Sequence, residues 1–582
     1  MADPRFSLTA PGYRSTLTTY LLPFRARVAW LAVVLVAATA FQVVVPLILQ
    51  RFIDSALAAA PITALTSAGI AYLVVGVLQQ GLSAVSTYLG ADVGWRATNR
   101  LRHDLARHAL GLDMGYHADT TPGEMIERID GDVTAVSNFL SRFVVRLLGS
   151  ALLLIGVVVV SAAQDWRMGA ALAGYVAAVL TLMIRMRHLA ERASEHERET
   201  SALLYGFIEE RLDGLDDIRA NGAGLHTMYV FVDVMRDFYR RTRRAWRTRA
   251  VFWVTSNTAY WTGDVIALAV GAWLALAGDI TIGTAYLILQ YVALVRTPIE
   301  QVAQEFQELQ KAAGGILRID ALRARSSRMV DEGTESAPGD ATVRFEGVRF
   351  AYEDRIVLDG VDFTIPDGTS LGLLGRTGGG KTTITRLLAR LYDPTEGRVT
   401  IGGVDLRHLD RAALRRTVGV VTQDVQLFGA TVRDNLTFFR EDRDDESIIG
   451  VLDRVGLGDW IRQLGLHTEL GSGGTGLSAG EAQLLAFARV FLQDPKVVIL
   501  DEPSSRLDPM TESLIATATE RIFAGRTAVI VAHRLETVRS VDSIMVVEAG
   551  RIVEHGARVD LAADPTSRYS RLLAAGQGRE LS

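Results

Sequence analysis

The chain has 582 residues, 61 Lys and Arg against 66 Asp and Glu, a formal net charge of −5, 49% hydrophobic residues and a positive mean hydropathy. That length calls for more than one domain, and the apolar share exceeds what soluble chains carry, which points to membrane segments. The absence of cysteine excludes disulfides, thiolate metal sites and cysteine nucleophiles, and the near-neutral charge, with basic residues in flanks beside apolar runs rather than in a stripe, gives no sign of a nucleic-acid or other polyanion partner.

Residues 1–19 are polar, with no apolar core leading to a small-residue cleavage site, so the first spanning segment is expected to direct insertion. Six apolar stretches, near 28–50, 64–89, 143–163, 168–184, 251–277 and 281–303, match the roughly 20 residues that one crossing needs. Arginines concentrate before the first stretch (Arg5, Arg14, Arg25, Arg27), after the second (Arg96, Arg100, Arg102, Arg107) and after the fourth (Arg185, Arg187, Arg192), which predicts cytoplasmic termini. The outward loops are short, whereas the inward segments after helices two and four read as helices that continue far beyond the bilayer. Polar and charged residues inside the stretches are costly in lipid, so Gln79, Gln80, Arg146, Asp264, Gln290 and Arg296 are candidates for a transport cavity, with Asp264 first as a lone carboxylate near a helix centre. Interhelical hydrogen bonds or ion pairs are the competing reading.

Residues 323–340 are polar and contain Gly, Ser and Glu, as in a linker between a membrane domain, 1–322, and a soluble domain, 341–582. In the soluble part short apolar strands near 343–345, 370–374, 418–422, 497–500 and 527–531 alternate with helical patterns, the mark of a mostly parallel α/β sheet.

One loop in this sheet carries chemistry. Gly375-Arg376-Thr377-Gly378-Gly379-Gly380-Lys381-Thr382, continued by Thr383, fits the phosphate-cradling pattern G-x-x-x-x-G-K-[ST] and lies between a strand-like run and a helix-like one. Its glycines let successive N–H groups face phosphate oxygens, Lys381 supplies a compact positive charge, and the Thr382 hydroxyl suits Mg²⁺. Lys occurs only at 311, 381 and 496, so its use here is informative. The apolar run 497–500 delivers Asp501, suited to holding Mg²⁺ through water, and Glu502, suited to polarising an attacking water. A second apolar run ends near His533, placed to orient Glu502 or that water.

Together these motifs resemble the ATP-binding cassette family over essentially the whole chain. The resemblance implies a multidomain protein: an all-α polytopic membrane domain of six transmembrane helices, exporter-type, followed by an α/β nucleotide-binding domain. It implies ATP and Mg²⁺ as cofactors, Tyr352 stacking on adenine, Gln423 touching Mg²⁺, Asp508 in the D-loop and His533 as the switch histidine. Residues 114–132 look like the family's first intracellular loop and 214–222 like the second. A half of this kind pairs with a second half-transporter so that each ATP lies between one chain's phosphate loop and the other chain's signature.

The signature departs from the family's Leu-Ser-Gly-Gly-Gln: this chain has Leu477-Ser478-Ala479-Gly480-Glu481. Ala479 adds a Cβ, and Glu481 places a carboxylate close to where an anion binds. A neutral alternative is a capping box, Ser478 as N-cap and Glu481 at N3. The acidic residue of the family's loop before the signature is also missing. The reading favours the half of a heterodimer that keeps Lys381, Glu502 and His533, with a homodimer second. The implied function is ATP-driven transport, most directly export of an amphipathic or hydrophobic substrate across a bacterial plasma membrane. An importer or lipid flippase on the same fold, or a regulatory half that leaves hydrolysis to its partner, is the alternative.

Overall fold

A computed structural model describes residues 18–139, 141, 144–329, 333–474, 476–501, 509–532 and 535–576. The chain forms two compact units, one holding the sequence up to Leu110 together with Pro122–Arg325, the other holding Gly111–Thr121 and the sequence from Ser326 onward.

The first unit is helical: α1 (Arg25–Leu57), α2 (Ile62–Leu110), α3 (Val144–Gln164), α4 (Trp166–Asp213), α5 (Gly224–Leu276), α6 (Ile282–Leu294) and α7 (Arg296–Arg323), with shorter helical pieces between α2 and α3 and between α4 and α5. Among the described residues six helices are long and apolar enough to cross a membrane. At 1.5 Å per residue the 49 residues of α2, the 48 of α4 and the 53 of α5 each run more than about 70 Å, over twice a hydrocarbon core of about 30 Å. The inward extensions read from the sequence are therefore continuous helix.

Val43, Leu153, Val157, Met183, Leu274, Leu287 and Tyr291 form the buried core of this bundle. Several polar groups in it are satisfied across helices, as an apolar medium favours. The Tyr291 hydroxyl donates to the Val43 carbonyl at 2.9 Å, and Gln50 Nε2 donates to Thr284 Oγ1 at 2.7 Å. Asp54 at the end of α1 accepts from the Gly283 N–H at 2.9 Å and from the Thr281 hydroxyl at 2.8 Å, so it caps the start of α6. Gly283 has to be glycine for this approach, since a Cβ there would lie 2.5 Å from the Gln50 carbonyl oxygen. On the short helix Asp132–Asn138 the buried Asp132 accepts from Arg318 Nε of α7 at 2.9 Å, pairing a desolvated carboxylate with a fork of donors.

The second unit is built on two sheets. β1 (Val343–Tyr352), β2 (Arg355–Ile365), β4 (Glu396–Ile401) and β5 (Val404–Asp405) form an antiparallel sheet in the order β2-β1-β4-β5. A six-stranded sheet has the order β10-β9-β3-β8-β7-β6, with β3 (Ser370–Leu374), β6 (Val418–Val421), β7 (Val497–Asp501), β8 (Thr527–Val531) and β9 (Ser543–Glu548) parallel and β10 (Arg551–Ala557) an antiparallel edge. β3 and β8 are buried at every position, which explains their unbroken apolar sequences. The sequence reading placed five strands. Five more belong to hairpins; in β2 and β10 alternation with charged residues masks the apolar run, whereas β9 is a buried apolar run that the reading missed.

Candidate nucleotide-binding site

The phosphate loop links the C-terminal end of β3 to α8 (Lys381–Leu388). Gly375 has φ +142°, and a Cβ on it would sit 2.1 Å from the Val547 carbonyl oxygen of β9, so the turn out of the strand accepts only glycine. Gly380 is the N-cap of α8 with φ +110° and no side-chain cap, which leaves the first N–H groups of the helix facing the loop interior. Lys381 is 5% exposed, and its ammonium donates to the carbonyls of Gly375 (2.7 Å) and Arg376 (3.2 Å), arching over the loop it belongs to. Thr382 is half-buried and Thr383 buried. A loop of outward N–H groups, a helix N-terminus and one buried ammonium fit a polyphosphate.

The sheet order places further candidates at the same edge. β7 and β8 run parallel to β3, so Asp501 at the end of β7 shares the C-terminal edge with Gly375, and Gln423 lies two residues past the end of β6, exposed. That edge is where open α/β sheets take ligands. Glu502, Asp508 and His533 lie outside the described residues. Tyr352 closes β1 with its ring edge-on to Phe350 (4.8 Å between centroids) and Tyr392 (5.3 Å). Its hydroxyl accepts from Arg386 of α8 at 3.2 Å, which ties the aromatic to the loop's helix. Burial pulls the Arg386 guanidinium down, but the bond to Tyr352 and the nearby Tyr392 and Asp501 outweigh it, and the group is held above its usual value. Nothing in the sequence marked Arg386 among so many arginines; a position one turn into α8 is the only signal it carries.

Ser478–Glu481 opens α9 (Ala479–Gln493) as a complete capping box. Glu481 Oε2 accepts from the Ser478 N–H at 2.7 Å and from the Ser478 hydroxyl at 2.8 Å, and Ser478 Oγ accepts from the Glu481 N–H at 3.2 Å. The serine proton is thus held by the neighbouring carboxylate. Gly480 is buried, and a Cβ there would meet Thr511 Cγ2 at 2.2 Å. Farther along α9, Arg489 donates to the carbonyls of Asn435 (2.8 Å) and Gln426 (3.0 Å) and lies over the Phe438 ring at 4.7 Å, binding the helix to the segment after Gln423. Burial lowers its guanidinium to about 10.

In the membrane unit Asp264 is not a lone carboxylate: it is paired with Arg296, the two side chains being 16% and 32% exposed. The charge that looked unexplained in the sequence is matched by another 32 residues away. A cavity of about 30 Å³, the size of one water, lies beside Gly263 and is lined by Tyr175, Ile266 and Val292. Gln290 Nε2 donates to the Tyr286 hydroxyl at 2.5 Å, while Gln79 is half-buried on α2, and Arg146 and Gln80 are exposed.

Residues 28–299 match the family described as the ABC transporter transmembrane region, and residues 358–505 match the family described as ABC transporter. The chain is 30% identical over 548 residues to the alpha-hemolysin translocation ATP-binding protein HlyB of Escherichia coli, covering 91% of this chain and 76% of that one. The chain belongs to the ABC transporter family. This ABC transporter chain is also 31% identical over 570 residues to the multidrug efflux ATP-binding/permease protein of Mycobacterium bovis (strain BCG / Pasteur 1173P2), covering 96% of itself but 47% of that relative, about half its length. In fold it is similar to a bacterial Atm1-family ABC exporter solved with ATP bound, with a TM-score of 0.75, 22% identity, and 95% and 99% of the two chains covered. It is an exporter-type ABC transporter chain in which a helical membrane domain is fused to an ATPase domain that binds ATP.

Proposed function

We propose that this chain is one half of a heterodimeric exporter that couples ATP hydrolysis to movement of an amphipathic or hydrophobic substrate across a bacterial plasma membrane, with both termini in the cytoplasm. In this reading Lys381, Glu502 and His533 work against a partner's unaltered signature, and Thr382, Gln423 and Asp501 hold Mg²⁺. The altered signature faces the partner's phosphate loop and makes that site slow. The observation that carries the asymmetry is the Ser478 hydroxyl donating to Glu481, which withdraws a donor from a trans phosphate and adds a negative charge beside it. The half-length match to the mycobacterial multidrug relative fits a chain that needs a second half.

Native mass spectrometry of the complex purified gently from the host membrane tests the pairing. A second, different half-transporter supports it, and two identical chains refute it in favour of a homodimer. Glu502→Gln in the assembled transporter tests the catalytic assignment: steady-state ATPase should fall by about 100-fold or more, and unchanged turnover sinks the role given to Glu502.

A further inference from the structure

Four arginines form a stripe along α5. Arg240, Arg243, Arg244 and Arg247 stand at i, i+3, i+4 and i+7 on one face of this helix. All four are exposed, and among the described residues none of the four guanidinium groups makes an ion pair or hydrogen bond. Their neighbours are served: Arg236 pairs with Asp233, Arg241 with Asp237, and Arg249 with Glu197 of α4. Other basic groups in the same unit are also compensated, Arg27 and Arg96 by Asp92, Arg102 by Asp130 and Arg128 by Glu124. Spacings of three and four residues between like charges weaken the helix that carries them, so an external anion relieves a repulsion built into the stripe.

Position says which anion. The apolar run of α5 starts at Val251, so at 1.5 Å per residue Arg247 lies about 6 Å and Arg243 about 12 Å from the hydrocarbon edge. The headgroup layer occupies about 5–7 Å beyond that edge, and the surface potential reaches about 8 Å more at physiological salt. Arg243, Arg244 and Arg247 fall within this depth, and Arg240, at about 16 Å, lies just beyond it. Trp246 and Trp253, 64% and 67% exposed, lie on an adjoining face of the helix, where amphipathic rings seat at a membrane interface.

We propose that this stripe is a binding site for the acidic headgroups of phospholipids in the cytoplasmic leaflet. The site lies in the membrane unit, on residues other than those of the nucleotide site.

The test uses the assembled transporter in vesicles holding equal phosphatidylglycerol and phosphatidylcholine, and reads the ratio of the two lipids that remains bound after extraction. Wild type should retain the acidic lipid with about fivefold preference for each arginine engaged, falling at about 0.5 M salt. R240Q/R243Q/R244Q/R247Q should bring the ratio close to one, the corresponding four Arg→Lys changes should keep it, and R236Q/R241Q, which alters arginines already paired, should leave it unchanged. Full enrichment in the four-Gln variant overturns the proposal, as does an equal loss in R236Q/R241Q. Loss of enrichment together with dissociation of the assembled transporter also overturns it and gives this face to a protein contact. Displacement of the lipid by millimolar inorganic phosphate as readily as by acidic vesicles overturns the lipid assignment in favour of a soluble anion. If the four-Gln variant misassembles, R243Q/R247Q is read in the same way, with an intermediate ratio expected and a wild-type ratio fatal.

Discussion

Glu481→Gln should move stability and activity in opposite directions. The substitution keeps the side chain's length and one acceptor at the third position of α9, and removes one negative charge. Two charge-assisted hydrogen bonds, at 2.7 and 2.8 Å, become neutral ones of roughly half the strength, and the carboxylate's favourable position at the start of a 15-residue helix is lost. For a cap exposed at Ser478 and half-buried at Glu481 the two effects sum to about 1–2 kcal/mol, or roughly 3–6 °C in a domain of this size. Against that, a carboxylate about 6 Å from a phosphate charge repels it by about 3 kcal/mol at an effective dielectric of 20, which solvent and salt reduce to about 1 kcal/mol. In the proposed heterodimer, relief of that repulsion is worth roughly fivefold in ATPase rate or nucleotide affinity at the partner's site. Thermal unfolding and steady-state ATPase are measured on the same preparation of assembled transporter. A lower melting temperature with no gain in ATPase refutes the argument and reduces Glu481 to a cap.

Gly375→Ala puts a Cβ 2.1 Å from the Val547 carbonyl at a positive φ, a strain of about 3 kcal/mol, so a fluorescent ATP analogue should bind about 100-fold more weakly; wild-type binding refutes the fit of the loop. Asp264→Asn leaves Arg296 without its counter-charge and should cost about 1–3 kcal/mol in detergent, and D264N/R296Q should recover part of it. If the double variant regains stability yet loses transport, the pair contacts substrate as well as holding the bundle. His555 stands on the exposed register of β10, where partial desolvation holds its imidazole below its ordinary 6.5, so the unfolded chain takes up the proton first. Its contribution, kept small by solvent screening of an exposed side chain, is complete above about pH 6.5 and is lost as pH falls from there toward the folded value. His555→Gln should flatten the melting temperature between roughly pH 6.5 and 5, and an unchanged slope assigns it to other groups.

The parts of the fold that were legible in the sequence rest on local chemistry. A glycine loop ending in Lys381 and Thr382 between an apolar strand and a helix is determined by neighbours in sequence, and so are six apolar runs and the helices that extend them. What escaped depends on residues distant in the chain. Arg296 meets Asp264 only because α5 and the start of α7 pack, and Asp54 reaches Gly283 across 229 positions. Arg386 reaches Tyr352 because β1 lies against α8, which no periodicity announces. The edge of the six-stranded sheet was hidden for another reason: β10, exposed at every second residue, carries too many charges to read as an apolar run. The arginines of α5 were not singled out, because a stripe is a property of the helix and not of the linear string.

The contacts around residues 279–284 have a mechanical consequence. Asp54 holds the start of α6 to the end of α1, and Arg167 at the start of α4 pairs with Asp279 in the turn before α6 at 2.9 Å. The three short turns at this end of the bundle, after α1, α3 and α5, are fastened through one another, and the 33 residues of α1 cannot swing from α6 without stripping the N-terminal cap of that helix. A single chain is therefore clamped at this end of its helical bundle. Any aperture here has to open along the seam with a second chain.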